Sequence, residues 1–405
     1  MQPVRCAADT GHPGVSVGRA TLAGLGASLV GIGLARFAYT ALMPALVAEQ
    51  WFMASDAAYL GAANLAGYLA GALAAPRMAA VAPVAPVLRA MMLLATASFF
   101  ACAQPLSFSW FFVWRFAAGV SGGALMVLAA LAVLPHVPAS RRGLAAGVIF
   151  TGVGLGIIMS GTLVPLLFHF GLGPTWKGLG ILSLLATVLA WGGWPKAARA
   201  PVSDPQGHHR SDASNAALRA LCVEYGLNAV GLVPHMIFLV DFIARGLGQG
   251  LAVGARYWVV FGLGAVAGPI LAGCAADRIG FRSALRLAFL LQALAIALVV
   301  LTDHPVALVA SSAIVGAAVP GVVPLALGRV HELVEGDRGR KAAWSLCTAA
   351  FALGQAAAAY VFACLFERTD GGYLPLFAAA AAALLLALAI DLIWPRTPRV
   401  REARE

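Results

Sequence analysis

Long apolar runs separated by short polar turns make up most of the chain. Twelve of these runs approach the roughly 20 residues that an α-helix needs to cross the hydrocarbon core of a bilayer. The pattern predicts an all-α polytopic membrane protein with twelve transmembrane helices. The predicted spans cover about 20–47, 57–76, 87–104, 109–134, 144–170, 175–194, 219–243, 254–276, 284–302, 305–328, 342–365 and 373–394.

One long polar stretch, rich in Pro, Ser, Asp and His, separates the first six spans from the last six. Such a composition is typical of a flexible linker. We therefore predict an N-terminal six-helix bundle over residues 1–195 and a cytoplasmic linker over 196–218. A C-terminal six-helix bundle over 219–395 and a short cytoplasmic tail over 396–405 follow.

A charged turn between spans 8 and 9 is the most specific motif in the chain. It reads Gly-x-x-x-Asp-Arg-x-Gly-x-Arg and contains Gly273, Asp277, Arg278, Gly280 and Arg282. Glycines permit a sharp turn and close helix approach, while the charges lie where water begins and can pin neighbouring helix ends. The motif resembles the gating hairpin of the major facilitator superfamily of secondary transporters. The resemblance implies two six-helix bundles around a central cavity and transport by alternating access.

Composition agrees with this assignment. Hydrophobic residues make up 61% of the chain and charged residues 11%, whereas a soluble domain carries about 25% charge. The net charge of +10 is spread singly over short loops, which argues against nucleic-acid binding. The six cysteines have no paired spacing, so we expect neither a disulfide framework nor a metal site. We expect no cleaved signal peptide, because the first apolar run is too long for one.

The distribution of Lys and Arg predicts the orientation. With the N-terminus inside, the inner loops and tails hold twenty-one basic residues and the outer loops hold four. The outer four are Lys177, Arg245, Arg256 and Arg368. The positive-inside rule then places both termini in the cytoplasm, and we expect the protein in the inner membrane.

The two halves of the chain echo each other at an offset of 201 residues. Gly67–Arg77 aligns with Gly268–Arg278, with identity at the first Gly, at Ala-Ala and at the final Arg. A tandem duplication of six helices explains such an echo. Pro76 stands where the second half has Asp277, so a gating contact made by that carboxylate is absent from the first half.

With the span ends set aside, two cations lie inside the predicted spans of the first half, Arg36 in span 1 and Arg115 in span 4. Ionisable residues within the hydrocarbon are costly and usually face a cavity or a partner. The acids of residues 20–195 are Glu49 and Asp56, both in the first outer loop. The two arginines therefore need strong backbone acceptors or a negatively charged ligand. Tyr39 and Thr40 share the face of Arg36 by helical spacing.

The sequence around Arg36 also resembles a particular branch of the superfamily. Gly33–Tyr39 and Leu60–Tyr68 are similar to the YbfB/YjiJ branch, and Arg115 with Gly119 is similar to the superfamily's fourth-helix Arg-x-x-x-Gly element. The resemblance implies that helices one, four, seven and ten line the cavity. For Arg115 it implies either locking of the bent first helix or tuning of proton transfer. For Arg36, ligand contact and a structural lock on backbone carbonyls both stay open.

A polar stripe on span 7 completes the candidate site. Glu224, Asn228, Gly231 and His235 are separated by four, three and four residues, which places them on one face of a helix. We predict Asn228, His235 and the span 11 residue Gln355 in substrate binding, and Glu224 or His235 in proton coupling. The alternatives are a packed histidine and an inner-surface glutamate that neutralises a nearby arginine.

These features predict a secondary active transporter and not an enzyme, since no catalytic motif or cofactor-binding loop stands out. The predicted substrate is a small organic anion, with protons as the coupling ion and the lipid bilayer as surroundings. The alternative is proton-coupled efflux of a hydrophobic drug or metabolite. We expect a monomer, and we expect neither a cofactor nor a nucleic-acid partner.

Overall fold

A computed structural model describes residues 16–138, 141–195 and 212–393. It contains twelve helices long and apolar enough to cross a membrane, which confirms all twelve predicted spans. In chain order, spans 1 to 12 cover Val17–Ala48, Ala54–Val81, Val84–Ala101, Phe108–His136, Leu144–Phe168, Leu172–Ala190, Ala216–Gly246, Leu251–Ile279, Phe281–Leu301, Pro305–Leu333, Ala342–Arg368 and Leu374–Ile393.

The predicted linker and tail fall mainly outside the described residues. The helix that carries span 7 begins at Asp212, inside the stretch predicted as linker. An even number of spans places both chain ends on one side of the membrane. We call this the terminal side and the opposite one the distal side.

Span 1 is a broken helix. An α-helix over Val17–Ser28 continues as a π-helix over Leu29–Leu34, and a second α-helix over Ala38–Ala48 follows after a short turn. In the turn, the amide nitrogens of Arg36 and Phe37 both donate to the Ile32 carbonyl oxygen, at 3.3 and 3.2 Å. Such a break departs from the regular α-helical bonding pattern and leaves backbone carbonyls available to side chains. Arg36 lies in this turn.

Glycines bring spans 2 and 4 close together, and spans 8 and 10 likewise. A Cβ atom on Gly67 would collide with the Phe116 carbonyl oxygen, and one on Gly268 would collide with the Ala317 carbonyl oxygen. Gly67 and Gly268 are the first residues of the two echoing segments. The two halves therefore repeat the same close helix contact, as a tandem duplication predicts.

The hairpin between spans 8 and 9 ties span 9 to span 12. Gly280 has φ +81° and stands between the two helices, so its backbone requires glycine. Arg282 Nε lies 3.0 Å from Asp391 Oδ1, and Arg286 also pairs with the Asp391 carboxylate. The expectation that a hairpin charge pins a neighbouring helix end is met by Arg282. Gly273 differs from the expectation, because a Cβ atom there would meet open space and no close approach requires glycine.

The first half has an equivalent tie between spans 3 and 6. Arg89 Nε donates to the Trp191 carbonyl oxygen at 3.0 Å, and its guanidinium lies 5.1 Å from the Trp191 ring centroid. Span 3 is therefore held to the end of span 6 by an arginine, just as span 9 is held to the end of span 12. The first-half tie uses a carbonyl where the second half adds a carboxylate.

The two halves contact each other from the distal side to the middle of the bilayer. Tyr59 donates to Glu367 Oε2 at 2.8 Å near the distal ends of spans 2 and 11. Trp258 Nε1 donates to Ser160 Oγ at 3.2 Å between spans 8 and 5. In the middle of the same helix pair, a Cβ atom on Gly154 would lie 3.1 Å from the Gly262 carbonyl oxygen. The structure is thus closed towards the distal side.

Ion pairing also holds the distal end of span 7. Arg245 Nε lies 2.5 Å from Asp241 Oδ1, and the Tyr373 hydroxyl donates to Asp241 Oδ2 at 2.7 Å. Burial raises the pKa of Tyr373, so this hydroxyl keeps its proton and remains a donor at neutral pH. Asp241 is therefore occupied locally and is not the counterion of the arginines in span 1 or span 4.

Candidate functional site

A small pocket lies between the halves at the level of the break in span 1. Spans 1, 2 and 4 of the first half and span 7 of the second half form its walls. Its lining residues are Arg36, Tyr39, Thr40, Gly61, Asn64, Leu65, Arg115, Met236 and Ile237. The pocket is narrow, with room for about one water molecule at its centre. Span 2 contributes to this lining, which the family resemblance did not imply.

Arg36 reaches the pocket from the turn in span 1. Its guanidinium carbon lies 5.2 Å from the Phe37 ring centroid and 5.0 Å from that of Tyr68. Arg36 Nη2 donates to the Met236 sulfur at 3.8 Å, and Nε has no partner among the described residues. Aromatic faces stabilise a cation by about 0.5–2 kcal/mol. Arg36 is half-buried and its guanidinium has no oxygen acceptor among the described residues, so it is accessible to a ligand in the pocket.

Arg115 is held differently, although it lines the same pocket. Its side chain is buried, Nη1 donates to the Ala35 carbonyl oxygen at 2.8 Å, and the guanidinium carbon lies 4.3 Å from the Tyr39 ring centroid. The acceptor belongs to the turn in the middle of span 1. This contact fits the locking role that the family resemblance implies for Arg115, since it joins span 4 to the broken part of span 1.

Three polar side chains surround the two arginines. Tyr39 donates to the Ala57 carbonyl oxygen at 2.7 Å, and Thr40 donates to the Met236 carbonyl oxygen across the two halves. Asn64 donates through Nδ2 to the Arg115 carbonyl oxygen at 3.0 Å. Asn64 Oδ1 is buried, with no partner in the described part of the chain. The pocket therefore presents two guanidinium groups and one amide oxygen with unused bonding capacity among the described residues.

Gln355 contacts the pocket through a hydrogen bond to the lining residue Met236. Gln355 Nε2 donates to the Met236 sulfur at 3.4 Å, so this thioether accepts from Gln355 of span 11 and from Arg36 of span 1. Gln355 is 2% exposed, and its Oε1 has no partner within residues 16–138, 141–195 and 212–393. Gln355 was predicted as a cavity residue, and the structure places it beside the pocket lining.

The polar stripe of span 7 points into the second half instead of towards the pocket. Asn228 Nδ2 donates to Gln292 Oε1 of span 9 at 3.0 Å. His235 Nε2 lies 2.8 Å from Ser311 Oγ of span 10, and its ring packs edge-on against Phe377 of span 12. The stripe was expected to form the wall opposite Arg36. That wall is formed by the neighbouring face of span 7, with Met236 and Ile237, because the polar face packs against spans 9, 10 and 12.

Glu224 lies on the terminal side of the stripe. It is 3% exposed and within electrostatic range of Asp391, Arg282, Arg286 and Arg329. In the alternative interpretation of the sequence, the arginine that Glu224 neutralises is Arg219. The charges found around Glu224 come instead from spans 9, 10 and 12. Glu224 thus belongs to the charge cluster that ties spans 9 and 12 and lies apart from the pocket.

Sequence reasoning found part of the pocket and missed part. Arg36, Tyr39, Thr40 and Arg115 come together as predicted. Asn64 was missed, although a lone amide within an apolar span is a signal for a buried hydrogen bond. Met236 carried no signal, because methionine is an ordinary apolar residue of a membrane helix.

The arrangement described above defines a membrane transporter fold: two six-helix halves, a broken first helix and a polar pocket between the halves. A family model described as "Uncharacterised MFS-type transporter YbfB" matches residues 28–392. The chain therefore belongs to this family of the major facilitator superfamily, as the resemblance of its motifs indicated. Its membership identifies a transporter and not an enzyme.

Solved structures agree on the fold. A bacterial homolog of the human lysosomal transporter Spinster, in an inward-facing and unoccupied conformation, superposes with a TM-score of 0.65 at 15% identity and covers 94% of this chain and 99% of its own. A D-xylose–proton symporter superposes with a TM-score of 0.71 at 16% identity and covers 95% and 98%. A search of curated protein sequences found no significant match.

Proposed function

We propose that this secondary transporter carries a small organic anion across the inner membrane by alternating access, in symport or exchange with protons. The observation that carries the proposal is the guanidinium of Arg36. It faces the pocket between the halves, and the described residues offer it a thioether and two aromatic rings but no oxygen acceptor. An anion at about 4 Å would contribute on the order of 4 kcal/mol at an effective dielectric constant of 20.

Arg115 also favours a negatively charged substrate. Its Nε is also without a partner in the described residues, and the pocket lining contains no carboxylate. A cationic substrate would therefore meet two like charges with no carboxylate to offset them. A hydrophobic drug would leave the charge of Arg36 uncompensated, so efflux of such compounds is the weaker alternative.

The orientation of the protein in the membrane and its coupling to protons are also part of the proposal. The excess of Lys and Arg on the terminal side favours a cytoplasmic location for both termini, in which case the closed distal side faces outward. Glu224 and His235, both buried in span 7, remain our candidates for proton coupling, with Glu224 in the charge cluster on the terminal side. We propose that the protein works as a monomer.

The test is uptake of organic acids into proteoliposomes that contain the purified protein, after a thermal-shift screen has selected the acids. Arg36→Ala is expected to reduce uptake at least tenfold, because a charge-assisted contact is lost. Arg89→Ala is the matched control, since Arg89 also contacts a carbonyl and a ring but lies outside the pocket. Uptake that is unaffected by Arg36→Ala would refute the proposed site.

A second arm of the experiment tests the coupling. Accumulation driven by an imposed pH gradient is expected to be lost in Glu224→Gln, while exchange of labelled for unlabelled substrate persists. If the variant still accumulates substrate against its gradient, Glu224 carries no coupling proton.

A further inference from the structure

The thioether of Met236 occupies a position that suits an oxygen ligand. It lies 3.8 Å from Arg36 Nη2 and 3.4 Å from Gln355 Nε2. A thioether sulfur is a weak acceptor, whereas a carboxylate oxygen is the usual partner of a guanidinium. Methionine is unbranched and adapts easily to a change of its surroundings. Because the pocket is narrow, we expect the Met236 side chain to move aside when a ligand enters.

Asn64 defines what else the ligand must carry. Its Nδ2 donates to the Arg115 carbonyl oxygen, which can only accept, so the orientation of the amide is fixed. Asn64 Oδ1 then has no hydrogen-bond donor among the described residues, and Asn64 is only 2% exposed. A buried acceptor without a donor is destabilising. The site therefore calls for a ligand with a hydrogen-bond donor in addition to its negative charge.

The charges of the pocket select the type of donor. An ammonium group would lie in the same small pocket as the guanidinium groups of Arg36 and Arg115, where like charges repel. A hydroxyl group donates without carrying charge. Building on the proposed function, we infer that the substrate class is a short hydroxycarboxylate. Its carboxylate replaces the Met236 sulfur between Arg36 and Gln355, and its hydroxyl donates to Asn64 Oδ1.

This ligand would join the two halves of the protein. Arg36 and Asn64 belong to spans 1 and 2, whereas Gln355 belongs to span 11. A carboxylate held by both Arg36 and Gln355 would bridge the two side chains that now both contact the Met236 sulfur. Binding of the substrate would thereby be coupled to the contact between the halves.

Three probes with the same three-carbon skeleton test the inference. Lactate carries a hydroxyl at the second carbon, propionate carries hydrogen and alanine carries an ammonium group. We expect purified full-length protein to bind lactate about tenfold more tightly than propionate, as one buried hydrogen bond predicts, and alanine more weakly than either. The measurement is a calorimetric or thermal-shift titration at neutral pH.

Variants assign the two contacts separately. Arg36→Ala is expected to weaken both lactate and propionate, since both use the carboxylate. Asn64→Val is expected to bring the lactate-to-propionate ratio close to one, and the ratio cancels any general loss of affinity through the Arg115 contact. Equal binding of lactate and propionate to the unmodified protein, or no binding of lactate, would overturn the hydroxycarboxylate inference. Equal binding that still requires Arg36 would leave the proposed anion transport intact.

Discussion

Arg36 and Arg115 line the same pocket, but the acceptors of their hydrogen bonds differ. Arg115 has the Ala35 carbonyl oxygen at 2.8 Å, whereas the hydrogen bond of Arg36 goes to a sulfur atom. Arg115 is therefore bonded to the broken helix, whereas Arg36 is available to a ligand. Under the proposed function, Arg115 is the structural cation of the first half and Arg36 the ligand-binding one.

This difference predicts unequal effects on stability. Arg115→Met keeps most of the side-chain volume but removes the donor to Ala35, so we expect it to lower the free energy of unfolding by about 1–3 kcal/mol more than Arg36→Met does. Both variants remove one charge from the same pocket, so their difference reports the carbonyl contact. The measurement is thermal unfolding in detergent. Equal midpoints for the two variants would show that the Arg115 bond contributes nothing to the fold.

The sequence points to some residues of the pocket and not to others. Arg36 and Arg115 could be found because a charge inside an apolar run is costly and hence conspicuous. Met236 could not be found, since nothing in its own neighbourhood distinguishes it from a lipid-facing methionine. Its importance comes from Arg36, which is 200 residues away in the chain. The orientation of the span 7 stripe was missed for the same reason: helical spacing places Asn228 and His235 on one face without saying which helix that face meets.

At the scale of helices, the close pairs of spans 2 and 4 and of spans 8 and 10 depend on glycines at particular positions. The sequence echo marked Gly67 and Gly268 as equivalent, and both approach a backbone carbonyl. Gly273 lies in the most recognisable motif of the chain but contacts nothing through its missing Cβ atom. A motif thus identifies the hairpin, whereas only the packed structure tells which of its glycines the helix contact requires.

Two alanine substitutions in span 8 test this distinction. Gly268→Ala places a methyl group against the Ala317 backbone, which cannot rotate away, so we expect a loss of about 1–3 kcal/mol. Gly273→Ala lies in the same helix and has open space, so we expect no loss and up to about 1 kcal/mol gain from helix propensity. Thermal unfolding of the two purified variants decides the matter. A destabilised Gly273→Ala would mean that the hairpin glycine has a packing role that the structure does not contain.

At the scale of the whole molecule, hydropathy and the repeat predicted the number of helices and their division into two sets of six. They could not predict the state in which the halves are found, because the closing contacts join residues far apart in the chain. Tyr59 and Glu367 illustrate this, since an isolated tyrosine and glutamate at two helix ends carry no pairing signal. Gly154 and Gly262 contribute close packing that any two glycine-rich helices could make.

Alternating access requires that the distal contacts open during transport, and the Tyr59–Glu367 pair offers a way to prevent it. In a cysteine-free background, Tyr59→Cys with Glu367→Cys is expected to accept a short, reducible bifunctional thiol reagent in the absence of substrate, because the native side chains meet at the exposed distal end. Uptake into proteoliposomes should then fall to background, since the crosslinked halves cannot expose the pocket to the distal side, and a reductant should restore it. Each single-cysteine variant, treated with the same reagent, controls for modification of one helix alone. Full transport by the crosslinked protein would mean that the substrate passes without separation of spans 2 and 11 at this point.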